Sequence, residues 1–233
     1  MNQISFQNVY QTITARGEFK LGERAMTPDG REWVFVKSES ALAKGSVAIP
    51  SNVTATDLFS SSTDSQGRIV YLTSANAAYT IGQFEDAIGV VDDGTGVGQT
   101  FKIKTNSATT LTLYPETALS TALSVSNSDI TIRTMAVVQK AAITSKIQSA
   151  VGISQIATAA SDYSWLLTEG DGVVLAGEVL VVGANFTTGD DTTGQVIKGI
   201  TSEGPFDAQS LGFCLVANAG ADQGTLVRAE IRG

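Results

Sequence analysis

Histidine is absent from this 233-residue chain. That removes the commonest general base at neutral pH and the commonest nitrogen ligand for metals. Cysteine occurs once, at Cys214, so an intramolecular disulfide and every cysteine-cluster zinc site are excluded. Cys214 lies in the apolar run LGFCLVA and reads as a small buried hydrophobe; a catalytic cysteine would need a histidine partner. Aromatic residues make up only 7% of the chain, little for a cleft that must stack sugars. No stretch approaches the roughly 20 apolar residues of a membrane helix. The longest apolar runs, VVLAGEVLVVG and LGFCLVANA, are broken by glycine, asparagine or charge, and the polar start MNQISFQNVYQTITARGEF lacks a signal-peptide core. The expectation is a soluble protein made in a bacterial cytoplasm, with no membrane contact. Positive charge is also short: 23 acidic residues face 15 basic ones, for a net charge of -8. No basic cluster extends beyond Lys102–Lys104, so nucleic acid is not an expected partner.

What is present is β-structure. The chain is 42% hydrophobic, which suits a globular protein. Its length fits one large all-β domain or two small ones. Short alternating segments recur between turns of Gly, Asn, Asp and Ser: REWVFVKS after the turn TPDG, then GRIVYLTS, TFKIKT, TLTLYP, DITIRT, GEVLVVG and TLVRAEIRG. In the last, Val227, Ala229 and Ile231 share one face and Arg228, Glu230 and Arg232 the other, the pattern of an antiparallel sheet with one wet face. Helical periodicity is weak. DLFSSS near Asp57 and the stretch 141–160 are the best candidates, the second reading equally as a helix or an irregular loop because of Gly152 and its β-branched content.

The predicted fold is all-β: an antiparallel β-sandwich or barrel-like domain with an inserted smaller β module and an extended N-terminal arm. A Ser/Thr/Asn-rich stretch at 52–138 marks the module, and the flanks 17–51 and 139–233 form the main domain. Residues 1–16 read as the arm, either a frayed terminus or edge strand, or a segment that docks on a neighbouring subunit.

The candidate sites are few. In DDGTGVGQTFKIKTN, residues 92–106, the glycines 94, 96 and 98 do not match a Walker loop, and the third comes one residue early for a dinucleotide fingerprint. A strand pattern follows, so no helix N-terminus is offered to a phosphate. The glycines instead shape a tight turn that Asp92 and Asp93 start. Neither that pair nor Asp190 and Asp191 has the spacing of a calcium loop, and no metal or cofactor is expected. Glu85, Asp86, Glu116, Glu169 and Asp171 could supply a glycosidase pair only by converging from distant strands. Tyr163 and Trp165, two apart on one strand before a Gly-Asp-Gly turn, read as core packing or an interface anchor; Trp33 and Phe35 pair similarly. With Phe6 and Tyr10 of the arm they form the candidate interface set.

Several stretches resemble virion proteins of tailed bacteriophages. LGERAMTPDGREWVFVKSESALAKGSVAI is similar to their opening turn, aromatic strand and glycine pattern; YSWLLTEGDGVV resembles their Tyr-x-Trp strand; SLGFCLVANAGADQGTLVRAEIRG resembles their closing segment; and GVGQTFKIKTNSATTLTLYP resembles a β module of head-associated proteins. The resemblance implies a non-enzymatic decoration, or cement, protein on the capsid exterior. It would be a homotrimer bound to the major capsid protein between capsomers, with no catalytic residues to carry over. The alternative expectation is a head-fibre, tail or adhesin-like subunit that binds a host surface. A polysaccharide-active enzyme on a β scaffold ranks last.

Overall fold

A computed structural model describes residues 2–50, 54–72, 79, 81–124, 128–134, 136–141, 150–188, 194–199 and 210–231, with backbone alone for 54–62. The chain divides into two compact units, Met1–Pro50 with Val137–Gly233, and Ser51–Ala136. Strands dominate both, so the molecule is all-β and barrel-like.

The first unit contains β1 (Asn2–Gln3), β2 (Arg24–Met26), β3 (Glu32–Ser38) and β4 (Val47–Pro50). The second contains β5 (Thr54–Thr63), β6 (Ile69–Leu72), β7 (Ile88–Asp93), β8 (Thr100–Asn106), β9 (Thr110–Leu113) and β10 (Asp129–Arg133). The chain then returns to the first unit with β11 (Val137–Lys140), β12 (Gly152–Ser154), β13 (Tyr163–Ala176), β14 (Asn185–Thr188), β15 (Val196–Lys198), β16 (Gly212–Cys214) and β17 (Gln223–Glu230).

The second unit is a closed antiparallel barrel in the order β10-β5-β6-β9-β8-β7. Alternation explains it. Phe101 and Ile103 of β8, Leu111 and Leu113 of β9, and Ile130 and Ile132 of β10 point inward and join Val70, Phe84 and Val91 in one buried cluster. The segment DLFSSS, one of the two candidates for weak helical periodicity, lies instead in β5, paired with β10 and β6. A six-residue stretch is too short to hold a helix alone, and the barrel pairs its backbone groups on both sides. The module's ends meet: Thr54 pairs with Arg133. In the first unit Pro50 pairs with Val138. The chain therefore leaves and rejoins that unit at adjacent residues, which is how an insertion disturbs its host least.

In the first unit the pairings close two rings that share β13. One runs β3-β11-β4-β12-β13 and closes through β3–β13. The other runs β13-β15-β14-β16-β17 and closes through β13–β17. The sheet is mixed rather than purely antiparallel, because β1–β2, β3–β11 and β13–β15 are parallel. Parallel partners need long crossovers, and between β3 and β11 the whole inserted barrel lies on the connection. The Gly-Asp-Gly stretch, expected to end the Tyr163 strand, does not end it. Residues Tyr163–Leu167 of β13 pair with β3, and Glu169–Ala176 pair with β17, with a register shift between Leu167 and Glu169. Gly170 takes φ +110° there, and a Cβ on it would lie 2.6 Å from Arg31 Cγ. Glycine lets the strand change partner instead of stopping.

The N-terminal residues do not form an extended arm. Strand β1 pairs with β2 at the edge of the sheet, Phe6–Val9 form one helical turn (α1) capped by the Ser5 hydroxyl, and Ile13 bridges to Tyr163. Ile4 and Val9 are buried, so apolar burial against the chain's own sheet holds the segment down. For the stretch 141–160, residues 142–149 lie outside the described residues; the remainder carries β12 and a bridge from Thr158 to Leu42. GEVLVVG, expected as a strand, is an irregular loop before β14. Among the described residues no helix is long and apolar enough to cross a membrane.

Candidate functional site

Strands β3, β13 and β17 lie side by side in the first unit, and their register places Glu32, Glu169 and Glu230 in one row. The next row pairs Asp171 with Arg228. Glu169, Gly170, Asp171, Arg228 and Glu230, together with the 29–31 turn before β3, line an open cleft of about 510 Å³. Arg228 Nε donates to Asp171 Oδ1 at 2.8 Å, which raises the arginine's affinity for its proton, with Glu230 and Glu169 adding to the field.

A hydrogen-bonded chain forms the other wall. Trp33 Nε1 donates to Thr27 Oγ1 (3.1 Å), and Thr27 Oγ1 donates to Asp29 Oδ1 (2.6 Å). Arg31 Nε donates to Asp29 Oδ2 (2.6 Å), and Arg31 Nη1 donates to Tyr10 Oη (2.7 Å). The guanidinium also sits over the rings of Phe6, Tyr10 and Trp33 at 5.6, 5.8 and 5.5 Å. Burial pushes the Asp29 carboxyl up, but the Thr27 and Arg31 hydrogen bonds outweigh it and hold the group below its ordinary value. Burial likewise works against the Arg31 charge, and the bonds to Tyr10 and Asp29 reverse the effect.

Both arginines are thus engaged in holding the walls, and the glutamates stand next to one another rather than facing across a gap. The cleft favours cationic groups and hydrogen-bond donors, but it sets no acid opposite a base. Of the carboxylates singled out in the sequence, Glu169 and Asp171 line this cleft, whereas Glu85, Asp86 and Glu116 belong to the barrel unit. There the Asp86 side chain accepts from Tyr114 Oη at 2.6 Å, with Lys102 Nζ at 3.8 Å and over the Tyr114 ring. Among the described residues no group of three or more Cys, Asp or Glu side chains is arranged to hold a metal ion. Asp190 and Asp191 lie outside the described residues.

The glycine-rich stretch is the β7–β8 hairpin turn of the barrel. Gly94, Gly96 and Gly98 have φ of 74°, 91° and 85°, values that favour glycine. The N–H groups of Val97, Gly98 and Gln99 donate to the carbonyls of Gly94, Val91 and Gly96, and that of Gly94 donates to Asp93 Oδ1. Asp92 accepts from Thr131 Oγ1. Gln99 fastens the turn: its side-chain carbonyl accepts from the N–H groups of Ser120 and Thr121, and its amide donates to Gly96 O and Thr121 O.

The structure separates the six aromatic interface candidates. Trp33, Phe35 and Trp165 are fully buried and Tyr163 nearly so, and they cannot anchor a partner on the chain's surface. Phe35 stacks on Tyr163 and packs against Trp165, Phe19 covers Phe35 and Trp165, and Tyr10 meets Trp33 edge-on. Residues from the N-terminal segment thus cover the face of β3 and β13 that carries these rings. Phe6 and Tyr10 remain 42% exposed. Cys214 is buried, its thiol donating to Val216 O at 3.1 Å.

Sequence reasoning missed a second surface. Val179, Val181, Val182, Val216 and Leu226 are large apolar residues left exposed in the first unit. The adjacent pair Val181–Val182 is the signal: neighbouring residues in a strand point to opposite faces, so both can be exposed together in a loop.

No protein-family model, curated protein or solved structure matches the chain.

Proposed function

We propose that the chain is a non-enzymatic structural protein of a bacteriophage virion, a homotrimeric decoration protein that binds the major capsid protein between capsomers on the capsid exterior. The observation that carries this reading is the resemblance of its opening, middle and closing segments to tailed-phage head proteins. Physical features support it. Each unit closes its strands into rings or a barrel, which builds a rigid body suited to passive reinforcement. The net charge of -8 favours solubility before assembly and turns the surface away from packaged nucleic acid. Many modest identical contacts around a shell act together, so no single interface has to be large.

The test is binding to capsids purified without this chain. Co-sedimentation at saturating ratios, followed by electron cryo-microscopy, is expected to show density on the outer surface at symmetry-related sites. Light scattering of the free protein is expected to give three times the chain mass. A monomer that neither sediments with capsids nor occurs in purified virions sinks the reading.

A further inference from the structure

We propose that the valine-bearing end of the second ring is the face on which a capsid subunit docks, through an apolar contact edged by basic side chains on that subunit. This rests on the capsid reading above and assigns it a surface. Val179, Val181 and Val182 are 54%, 52% and 66% exposed, while Leu180 between them is fully buried. Val216 and Leu226 add 52% and 40% exposure on neighbouring backbone.

The surface is held rigid. Leu180 anchors the first loop, and Asn218 ties it to the second: Asn218 Oδ1 accepts from Leu180 N at 2.6 Å and Nδ2 donates to Glu178 O at 2.9 Å. Gly183 N donates to Cys214 O at 2.9 Å, and Leu226 O accepts from the N–H groups of Leu215 and Val216 at 2.9 and 3.2 Å. Aliphatic side chains fixed in this way bind with little loss of conformational freedom. Clustered exposed apolar groups mark an interaction site in a soluble protein.

Charge selects the occupant. The loops 177–184 and 215–222 carry two charged residues, Glu178 and Asp222, both acidic. From 163 to 233 nine acidic residues face three basic ones. Along the outward side of β13 and β17, the Val173–Leu226 pair is followed by Asp171–Arg228 and then Glu169–Glu230, so the apolar patch passes into the acidic row. A second copy seated face to face would set carboxylates against carboxylates, a juxtaposition that disfavours association. A different protein with lysine or arginine around an apolar centre complements both parts.

The experiment compares the wild-type chain with the double variant Val182→Asp/Val216→Asp in co-sedimentation with capsids lacking this chain. Val97→Asp, at a 63% exposed position on the barrel hairpin, is the control. The double variant is expected to bind about 30-fold more weakly or worse, as for loss of a hot-spot pair, and the control to bind as wild type. Wild-type binding is expected to weaken as salt rises. Hydrogen exchange of the wild-type chain on capsids reads the same face without a substitution, with protection expected at 178–184 and 214–217. Wild-type chain that binds while these amides stay unprotected, or a folded double variant that binds equally well, overturns this surface and leaves the capsid reading intact. Wild-type chain that fails to bind overturns both. A double variant that changes only the oligomeric mass assigns the patch to self-association and overturns the proposal.

Discussion

The two tryptophans show how one residue type serves different ends. Both are fully buried, so each contributes its large apolar surface to the core. Trp33 Nε1 donates to Thr27 Oγ1, whereas Trp165 Nε1 has no hydrogen-bond partner among the described residues. Replacing Trp33 by Phe removes a bond and leaves Thr27 short of a donor; replacing Trp165 by Phe also removes an unsatisfied donor. Urea unfolding is expected to show Trp33→Phe as more destabilising than Trp165→Phe by about 1 kcal/mol. Equal losses would mean that the Trp33–Thr27 bond contributes nothing. Asp29 belongs to the same hydrogen-bonded chain. Its folded-state value is depressed, so its contribution is present above the ordinary aspartate value and is lost as pH falls through the folded value. Stability measured from neutral pH downward is expected to drop in the acid range for the wild type, with a shallower drop for Asp29→Asn. Identical pH profiles would remove Asp29 from the account.

Among the elements, β13 organises the first unit. It belongs to both rings and changes neighbours at Glu169–Gly170. Gly170 combines φ +110° with close packing on Arg31. Gly170→Ala is therefore expected to cost about 1–3 kcal/mol, the range for a strained backbone position, read as a lowered urea midpoint. An unchanged midpoint would show that the strand does not depend on this bend. Sequence pattern made many strands legible: REWVFVKS, GRIVYLTS, TFKIKT, TLTLYP, DITIRT and TLVRAEIRG all contain strands, because alternation reports directly which side chains face a core. It misread three kinds of segment for physical reasons. DLFSSS has too few apolar residues to declare a period. GEVLVVG has strand composition but pairs with no strand among the described residues. The Gly-Asp-Gly stretch carries turn chemistry, yet its pairing with β17 keeps it within the strand.

At the scale of the whole molecule, the insertion is the main feature. The composition shift set the module at 52–138, and spatial clustering sets it at Ser51–Ala136. Because Thr54 and Arg133 are paired neighbours and the barrel encloses its own apolar cluster, an excised 51–136 fragment is expected to fold alone. Dispersed amide resonances and a cooperative melt would show it; a fragment without a cooperative transition would make the barrel dependent on its host. The candidate site was less legible than the fold. The sequence named Glu169 and Asp171 among many carboxylates, but not the row that Glu169 forms with Glu32 and Glu230 or the pairing of Asp171 with Arg228, because cross-strand register is a long-range property.

Alone, the sequence determined the all-β class, the missing histidine and disulfide chemistry, the acidic balance and the structural role of the 94–98 glycines, since composition and local periodicity act within a few residues. Only the tertiary structure decided which aromatic rings are buried, that the N-terminal segment covers its own sheet, that β13 joins two rings, and that valines of a strand-like run stand exposed. Those outcomes depend on which distant segments meet, and burial belongs to the meeting rather than to either segment.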